Sequence, residues 1–301
     1  MEVKTNSPRA WLLAARPKTL TGAAVPVATG LALAWADARE CYGAGGFSIV
    51  AAVLCLLFAL IMQVDANFVN DLVDCARGAD DRATRLGPER ACAQGWVTTG
   101  AMKGAIAATT ALACLAGLPL VVYGGQEMLL VGMLCVAFCF LYTTHLSYMG
   151  LGDVLVVLFF GLVPVCVTYY VQMHRVTAEA VCASLACGTV IDTLLLVNNF
   201  RDRDTDRLAG KQTLVVRTGP QAALALYLAA GPAACLIGTV FALHGRWAAF
   251  LMPMVYLPFH LKTYLDMRSI DHGRELNRCL GSTSRNIFIY GMSLTAGLLM
   301  S

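Results

Sequence analysis

The chain has 301 residues, 58% apolar and only 14% charged, with a formal net charge of +3. Soluble domains carry about 25% charged residues, so this composition predicts an all-α, polytopic membrane protein and argues against an ordinary soluble enzyme. The small net charge and the scatter of the basic residues exclude a nucleic-acid-binding stripe.

The N-terminal stretch, residues 1–18, is polar and basic and has no signal-peptide cleavage pattern, so the first apolar run is expected to stay in the protein. A membrane-spanning helix needs roughly 17–25 mostly apolar residues. By that measure nine runs qualify: 19–36, 47–70, 101–123, 127–144, 151–171, 178–200, 218–242, 247–265 and 286–300. They are continuous rather than alternating, and open sheet edges are not tolerated in lipid, so helices are expected, bundled around a central cavity. The twelve cysteines do not read as a disulfide framework. Cys55, Cys114, Cys135, Cys139, Cys166, Cys182, Cys187 and Cys235 fall inside apolar runs without Cys-x-x-Cys pairing and are expected to be small buried residues.

Lys and Arg concentrate in cytoplasmic loops. With the N-terminus cytoplasmic, the opposite face of a nine-span arrangement carries only Arg39, Arg175 and Arg246 of the 22 basic residues. This segregation predicts an outside C-terminus and a cytoplasmic (inner) membrane location. The loops after the second and sixth spans are long and rich in both charge signs, and both begin with Asn and Asp. Four spans separate them, which suggests a repeated four-helix unit plus a ninth helix within one domain, 1–301.

At the end of the second span, Asn67, Asn70, Asp71 and Asp74 stand at i, i+3, i+4 and i+7, on one helical face. Asp80 and Asp81 follow in the loop. At the end of the sixth span the pattern returns as Asn198, Asn199, Arg201, Asp202, Asp204 and Asp206, with Asp202 and Asp206 at i and i+4. Carboxylates near a membrane interior are costly unless they face a polar cavity and are neutralised. Two acidic faces with few His or Cys partners offer hard oxygen ligands, which suit Mg²⁺ bridging to substrate phosphates. Arg77, Arg82, Arg85, Arg90, Arg201, Lys211 and Arg217 are interleaved with the acids and can take up remaining phosphate charge. One such motif alone reads equally well as a solvated helix end; the recurrence argues for a site. A transporter also uses repeated spans with intramembrane acids, but these acids gather on one side of the membrane instead of at mid-depth. Two deeper acids, Asp65 and Asp192, either line the cavity or are hydrogen-bonded inside the bundle.

These motifs resemble the UbiA-type intramembrane aromatic prenyltransferases, nearly end to end. The resemblance rests on Trp-Leu-Leu-Ala-Ala-Arg-Pro-Lys-Thr-Leu (11–20), Asn-Asp-Leu-Val-Asp-Cys-Ala-Arg-Gly-Ala-Asp (70–80), Arg-Leu-Gly-Pro-Glu-Arg-Ala (85–91), Gly-Leu-Gly-Asp (150–153), Phe-Phe-Gly (159–161), Thr-Tyr-Tyr-Val-Gln (168–172), Asn-Asn-Phe-Arg-Asp with Gly-Lys-Gln-Thr-Leu-Val-Val-Arg-Thr-Gly (198–219), and Leu-Asn (276–277). Within that family, Arg-Gly-Ala-Asp, Arg-Leu-Gly-Pro and the Gly-Lys-x-Thr-Leu-x-Val-Arg-x-Gly pattern point to the branch that prenylates 1,4-dihydroxy-2-naphthoate in menaquinone biosynthesis. Asp65, Asp192 and the Thr143-Thr144-His145 segment depart from the family pattern.

The resemblance implies Mg²⁺-dependent transfer of a polyprenyl group from a polyprenyl diphosphate to an aromatic acid within the lipid bilayer, without a protein partner. It implies catalytic roles for Asp71, Asp74, Asp202 and Asp206, with Asn70 joining them as metal ligands. Asn67, Arg77, Asp80, Arg85, Asn199, Arg201 and Lys211 would hold the diphosphate. Arg16, Lys18, Tyr142 and Tyr169 would meet the acceptor, with Tyr148 and Tyr170 as further candidates to shield a cationic carbon. Hydroxybenzoate, homogentisate and porphyrin-derived acceptors are the alternatives within the family.

Overall fold

Polar caps open many of the helices. Ser7, Ser48, Thr98, Thr177 and Thr213 each place a hydroxyl oxygen to accept the amide N–H three residues on, satisfying one of the donors that a helix start leaves unpaired. The structure, a computed structural model, describes residues 3–77, 85–144 and 146–301. The described residues are mainly helical, with no strand among them.

A short α1 (Pro8–Ala15) leads into α2 (Leu20–Tyr42) and α3 (Ile49–Ala76). After the segment at 85–98 come α4 (Thr99–Gly117), α5 (Leu120–Gly124) and α6 (Glu127–Thr144). The next rod joins α7 (Gly152–Val157), a π-helical stretch (Leu158–Val167) containing Pro164, and α8 (Thr168–Met173). The longest helix, α9 (Ala178–Leu208), is followed by α10 (Leu214–Thr218), α11 (Pro220–Ile237) and α12 (Thr239–Leu243). The chain ends with α13 (Trp247–Leu251), α14 (Leu257–Ile270) and α15 (Asn277–Leu299).

These helices coincide with the nine apolar runs, yet among the described residues seven stretches are long and apolar enough to cross a membrane: Pro8–Tyr42, Ile49–Ala76, Thr99–Gly124, Glu127–Thr144, Gly152–Met173, Ala178–Leu208 and Pro220–Leu243. The nine-span expectation exceeds that count by the last two rods. The first of these is interrupted by a 3₁₀ turn at Met252–Tyr256, and its α14 carries Lys262, Asp266 and Arg268. The second, α15, carries Arg278, Arg285 and two asparagines.

The best buried span is α9, 61% of its apolar window being enclosed against 6% for α6. The main core joins Leu33, Val165, Cys187, Ile287 and Leu294 from α2, the π-helical stretch, α9 and α15. Backbones approach closely there: a Cβ on Gly30 would lie 2.7 Å from the Val165 carbonyl oxygen, and one on Gly161 2.5 Å from that of Ser184. A second cluster, including Ala10, Phe68, Ala91, Val97 and Met102, binds α1, α3 and α4 to the 85–98 segment. It seats that segment beside the end of α3. At the other end of the bundle Arg246 pairs with Asp37, with Glu40 at 3.6 Å and with Glu179 at 3.5 Å. Burial alone would lower its pKa, but the three carboxylates hold it above the ordinary arginine value.

All twelve cysteines are free. Cys55, Cys187 and Cys235 are buried as expected and Cys135, Cys139, Cys166 and Cys182 partly so, but Cys114 of α4 is exposed.

Candidate active site between two acidic walls

The end of α3 forms the first wall, and its shared face is divided among several partners. Asn67 is buried and donates to the Ala15 carbonyl and the Thr19 hydroxyl, both at 2.9 Å, which places it under the α1–α2 junction. The Asn70 side-chain oxygen accepts a hydrogen bond from the Thr143 hydroxyl of α6. Asp71 is 1% exposed; its two carboxylate oxygens accept the amide N–H groups of Ala91 and Cys92, each at 2.9 Å, and the Arg16 guanidinium lies 3.9 Å away. Its oxygens are thus engaged by backbone. Asp74 pairs with Arg90 at 3.2 Å. Arg77 caps α3 and donates to the carbonyls of Thr143 and Thr144, at 3.4 and 2.6 Å, while Arg85 donates to Pro88 at 2.7 Å. Asp80 lies outside the described residues, as do Asp81 and Arg82.

The second wall is the end of α9. Asp202 receives both nitrogens of a bidentate Arg201 contact, at 2.8 and 2.6 Å, and Asp206 stands 3.5 Å from the Lys211 ammonium. Bidentate pairing fixes a carboxylate's plane as well as its charge. Asn199 is half-buried one turn before Asp202. Arg203 and Asp204 point elsewhere: Arg203 bonds to the Phe200 carbonyl and to Asp271, and exposed Asp204 faces His272 at 3.8 Å.

Between the walls and the membrane interior lies a cavity of about 670 Å³, mainly apolar. Its polar groups include Thr19, Gln63, Asn70, Tyr142, Thr143 and Asn198. Cys55 and Asn70 both line it and sit fifteen residues apart on α3, so the cavity runs about 22 Å along that helix. Leu118, Leu129 and Met133 line it too and are 61%, 44% and 63% exposed, so it opens sideways between α4 and α6.

The acceptor candidates separate. Tyr142 lines the cavity and Arg16 approaches Asp71, whereas Lys18 is exposed and does not line it. Tyr169 is wholly buried and donates its hydroxyl hydrogen to Asp37 near the far end of α2, and Tyr170 packs edge-on to His174. The reason is register: Tyr169 and Tyr170 fall on α8, the last turn and a half of a rod that runs away from the acidic walls. The Tyr148 side chain is outside the described set. Asp65 proves to be internal, accepting hydrogen bonds from Thr109 and from Thr110, the latter at 2.8 Å. Asp192 and Asp153 each keep one buried carboxyl oxygen without a hydrogen-bond partner among the described residues.

Among the described residues no three His, Cys, Asp or Glu side chains converge as a cage. Asp74, Asp202 and Asp206 carry carboxylates of the kind through which Mg²⁺ would bind beside substrate phosphates. Their present partners are side-chain cations, whereas Asp71 is held by backbone amides.

The pattern of the UbiA prenyltransferase family matches residues 23–282. The chain belongs to this family. Two relatives named 1,4-dihydroxy-2-naphthoate octaprenyltransferase are similar to it: that of Escherichia coli is 35% identical, over 82% of this chain and 81% of its own, and that of Mycobacterium tuberculosis 32% identical, over 96% of each. The structure of a UbiA homolog from Archaeoglobus fulgidus bound to DMAPP and Mg²⁺ aligns with a TM-score of 0.60 at 16% identity, covering 95% of this chain and 99% of that one, which shows the shared fold. This UbiA-family chain is therefore a multi-span membrane prenyltransferase.

Asn198, in the Asn-Asn-Phe-Arg-Asp motif, lines the cavity, as does Thr143 of the segment that departs from the family pattern. Gln63 lines it too and was not singled out in the sequence, although it precedes Asn67, Asn70 and Asp74 at helical spacing on the same face. The contact of Thr143 with Asn70 depends on how α6 packs against α3.

Proposed function

We propose that this chain transfers a polyprenyl group from a polyprenyl diphosphate to 1,4-dihydroxy-2-naphthoate, with loss of carbon dioxide, giving demethylmenaquinol. The observation that carries this reading is the combination of paired acidic walls, interleaved with cations, at the mouth of a long apolar cavity open to one side. The names of the relatives supply the acceptor, and the A. fulgidus homolog bound to DMAPP and Mg²⁺ supports a divalent metal and an allylic diphosphate as ligands.

In this reading Asp74, Asp202 and Asp206, with Asn70, would hold Mg²⁺, Arg77, Arg85, Asn199 and Lys211 would stand around the diphosphate, and Arg201 would orient Asp202. When bound, Mg²⁺ neutralises the diphosphate as the allylic carbon–oxygen bond breaks and the electron pair leaves with the phosphate oxygen. Asp71 holds the 91–92 backbone in place, so that Arg90 reaches Asp74. Tyr142 presents its ring to the cationic carbon, and the apolar lining excludes water that would quench it. The ring carbon bearing the acceptor's carboxylate forms the new carbon–carbon bond, and that carboxylate departs as carbon dioxide; Arg16 orients it beforehand. The prenyl tail extends along the cavity and leaves between α4 and α6.

The reading places the protein in the cytoplasmic membrane as a single domain over 1–301, N-terminus and active site toward the cytoplasm and C-terminus outside, following the segregation of Lys and Arg. Membranes containing the protein, supplied with Mg²⁺ and labelled octaprenyl diphosphate, should yield a prenylated product from 1,4-dihydroxy-2-naphthoate and none from 4-hydroxybenzoate. The reverse preference would overturn the acceptor assignment.

A further inference from the structure

The two acidic walls are joined by a residue that neither motif contains. Asn277, at the start of α15, accepts a hydrogen bond from the Arg201 guanidinium at 2.8 Å and donates one to the Leu86 carbonyl at 2.8 Å. The same guanidinium holds Asp202 by two further bonds and is 2% exposed. The backbone next to Leu86 presses on it: a Cβ at Gly87 would lie 2.7 Å from one Arg201 terminal nitrogen and 3.1 Å from its central carbon. Arg274, three residues before Asn277, adds a bond to the Arg85 carbonyl at 3.0 Å. The segment so fastened continues to Ala91 and Cys92, whose amides hold Asp71, and to Arg90, which pairs with Asp74.

We propose that Asn277 is a positioning residue that fixes the orientation of Asp202 through Arg201 while fastening the segment of the first wall over it, so that both walls present their carboxylates together. One side-chain amide can do this because it offers an acceptor and a donor at once. A carboxylate taken up bidentately by arginine still has lone pairs directed away from the guanidinium, so Arg201 aims Asp202 at a cation instead of blocking it. Arg201 then acts mainly as a strut, with its fork already filled by Asp202 and Asn277. This inference rests on the reading that the walls bind Mg²⁺ and a prenyl diphosphate.

The experiment uses purified full-length protein in detergent and measures the Mg²⁺ concentration needed for half-maximal binding of labelled farnesyl diphosphate, which requires no acceptor. Loss of an outer partner of a metal ligand typically costs about 10- to 100-fold in metal affinity. Asn277→Ala should raise the required Mg²⁺ by about that factor and leave the KM of the aromatic acceptor at saturating Mg²⁺ unchanged. Asn277→Asp, which can still accept from Arg201 but cannot donate to Leu86, should give a smaller rise. Hydrogen exchange of the amides at 85–97 should quicken in both. If Asn277→Ala fails to fold, Gly87→Ala carries the test, because its methyl group pushes on the Arg201 guanidinium from the loop, its nearest neighbours being the Arg201 and Arg85 side chains; it should shift the Mg²⁺ requirement in the same direction. An unchanged Mg²⁺ requirement in a folded Asn277→Ala protein, or a proportional rise in acceptor KM, overturns the proposal. Absence of Mg²⁺-dependent diphosphate binding in the unmutated protein refutes the two-wall reading itself, and the inference with it. Failure to prenylate naphthoate with diphosphate binding intact refutes only the acceptor.

Discussion

The two acidic walls start from the same letters, Asn and Asp at the end of a long helix, and end in different circumstances. On α3 the first carboxylate of the motif, Asp71, is consumed by backbone amides twenty residues further along. On α9, among the described residues, Asp202 and Asp206 pair with side-chain cations, Arg201 and Lys211. A carboxylate bound to buried amides cannot leave without stranding them; one paired with a lysine or arginine can share or exchange that partner as a cation arrives. The repeat of the motif is thus a repeat of placement, with the first wall spending part of its charge on holding its own loop.

The largest expected effect strikes both walls together: chelation of divalent ions should stop prenyl transfer, and Mg²⁺ alone should restore it. Next, Asp74→Ala and Asp202→Ala should each lower turnover more than about 100-fold, beyond the loss typical of an outer partner; thermal unfolding in detergent should change little for Asp74→Ala but fall for Asp202→Ala, which strands the buried Arg201 guanidinium. Asp71→Ala should separate from Asp74→Ala by destabilising the protein. It strands two buried amides at about 1–3 kcal/mol each, which a fall in unfolding temperature would reveal; equal stability of the Asp71 and Asp74 variants would erase the distinction between the walls. Tyr142→Ala should reduce turnover about 2- to 30-fold, the range of a cation–π contact. Smallest of all, Tyr169→Phe should leave the acceptor KM within about twofold, since the lost hydrogen bond to Asp37 lies far from the site; a large rise would return Tyr169 to the acceptor's surroundings.

Helix positions were legible because apolar runs of span length have few other uses, and the helical register placed Asn70, Asp74, Asp202 and Asp206 at helix ends facing one region. Register says which residues share a face, but not what that face meets. The capture of Asp71 by Ala91 and Cys92, the link from Arg201 to Asn277 and the turn of Tyr169 toward Asp37 all join residues far apart in sequence, and no periodicity announces them. Length and apolarity alone pick out seven of the nine expected spans among the described residues, because the apolar residues at 247–265 and 286–300 are interrupted by a 3₁₀ turn in one case and accompanied by basic and amide side chains in the other. Asp65 illustrates the opposite ambiguity, an intramembrane acid that suggested chemistry and turns out to bind two threonines.

Leu118, Leu129 and Met133 are at once cavity wall and outer surface. A greasy inhibitor would therefore reach the cavity from the bilayer, and its potency would follow its concentration in lipid instead of in water. Each methylene added to such a compound raises that concentration about fourfold, from about 0.8 kcal/mol of transfer free energy, before any contact with the protein improves. Dose–response curves for this enzyme acquire meaning only when the amount of lipid or detergent in the assay is held constant, and compounds ranked without that control would be ranked by partitioning.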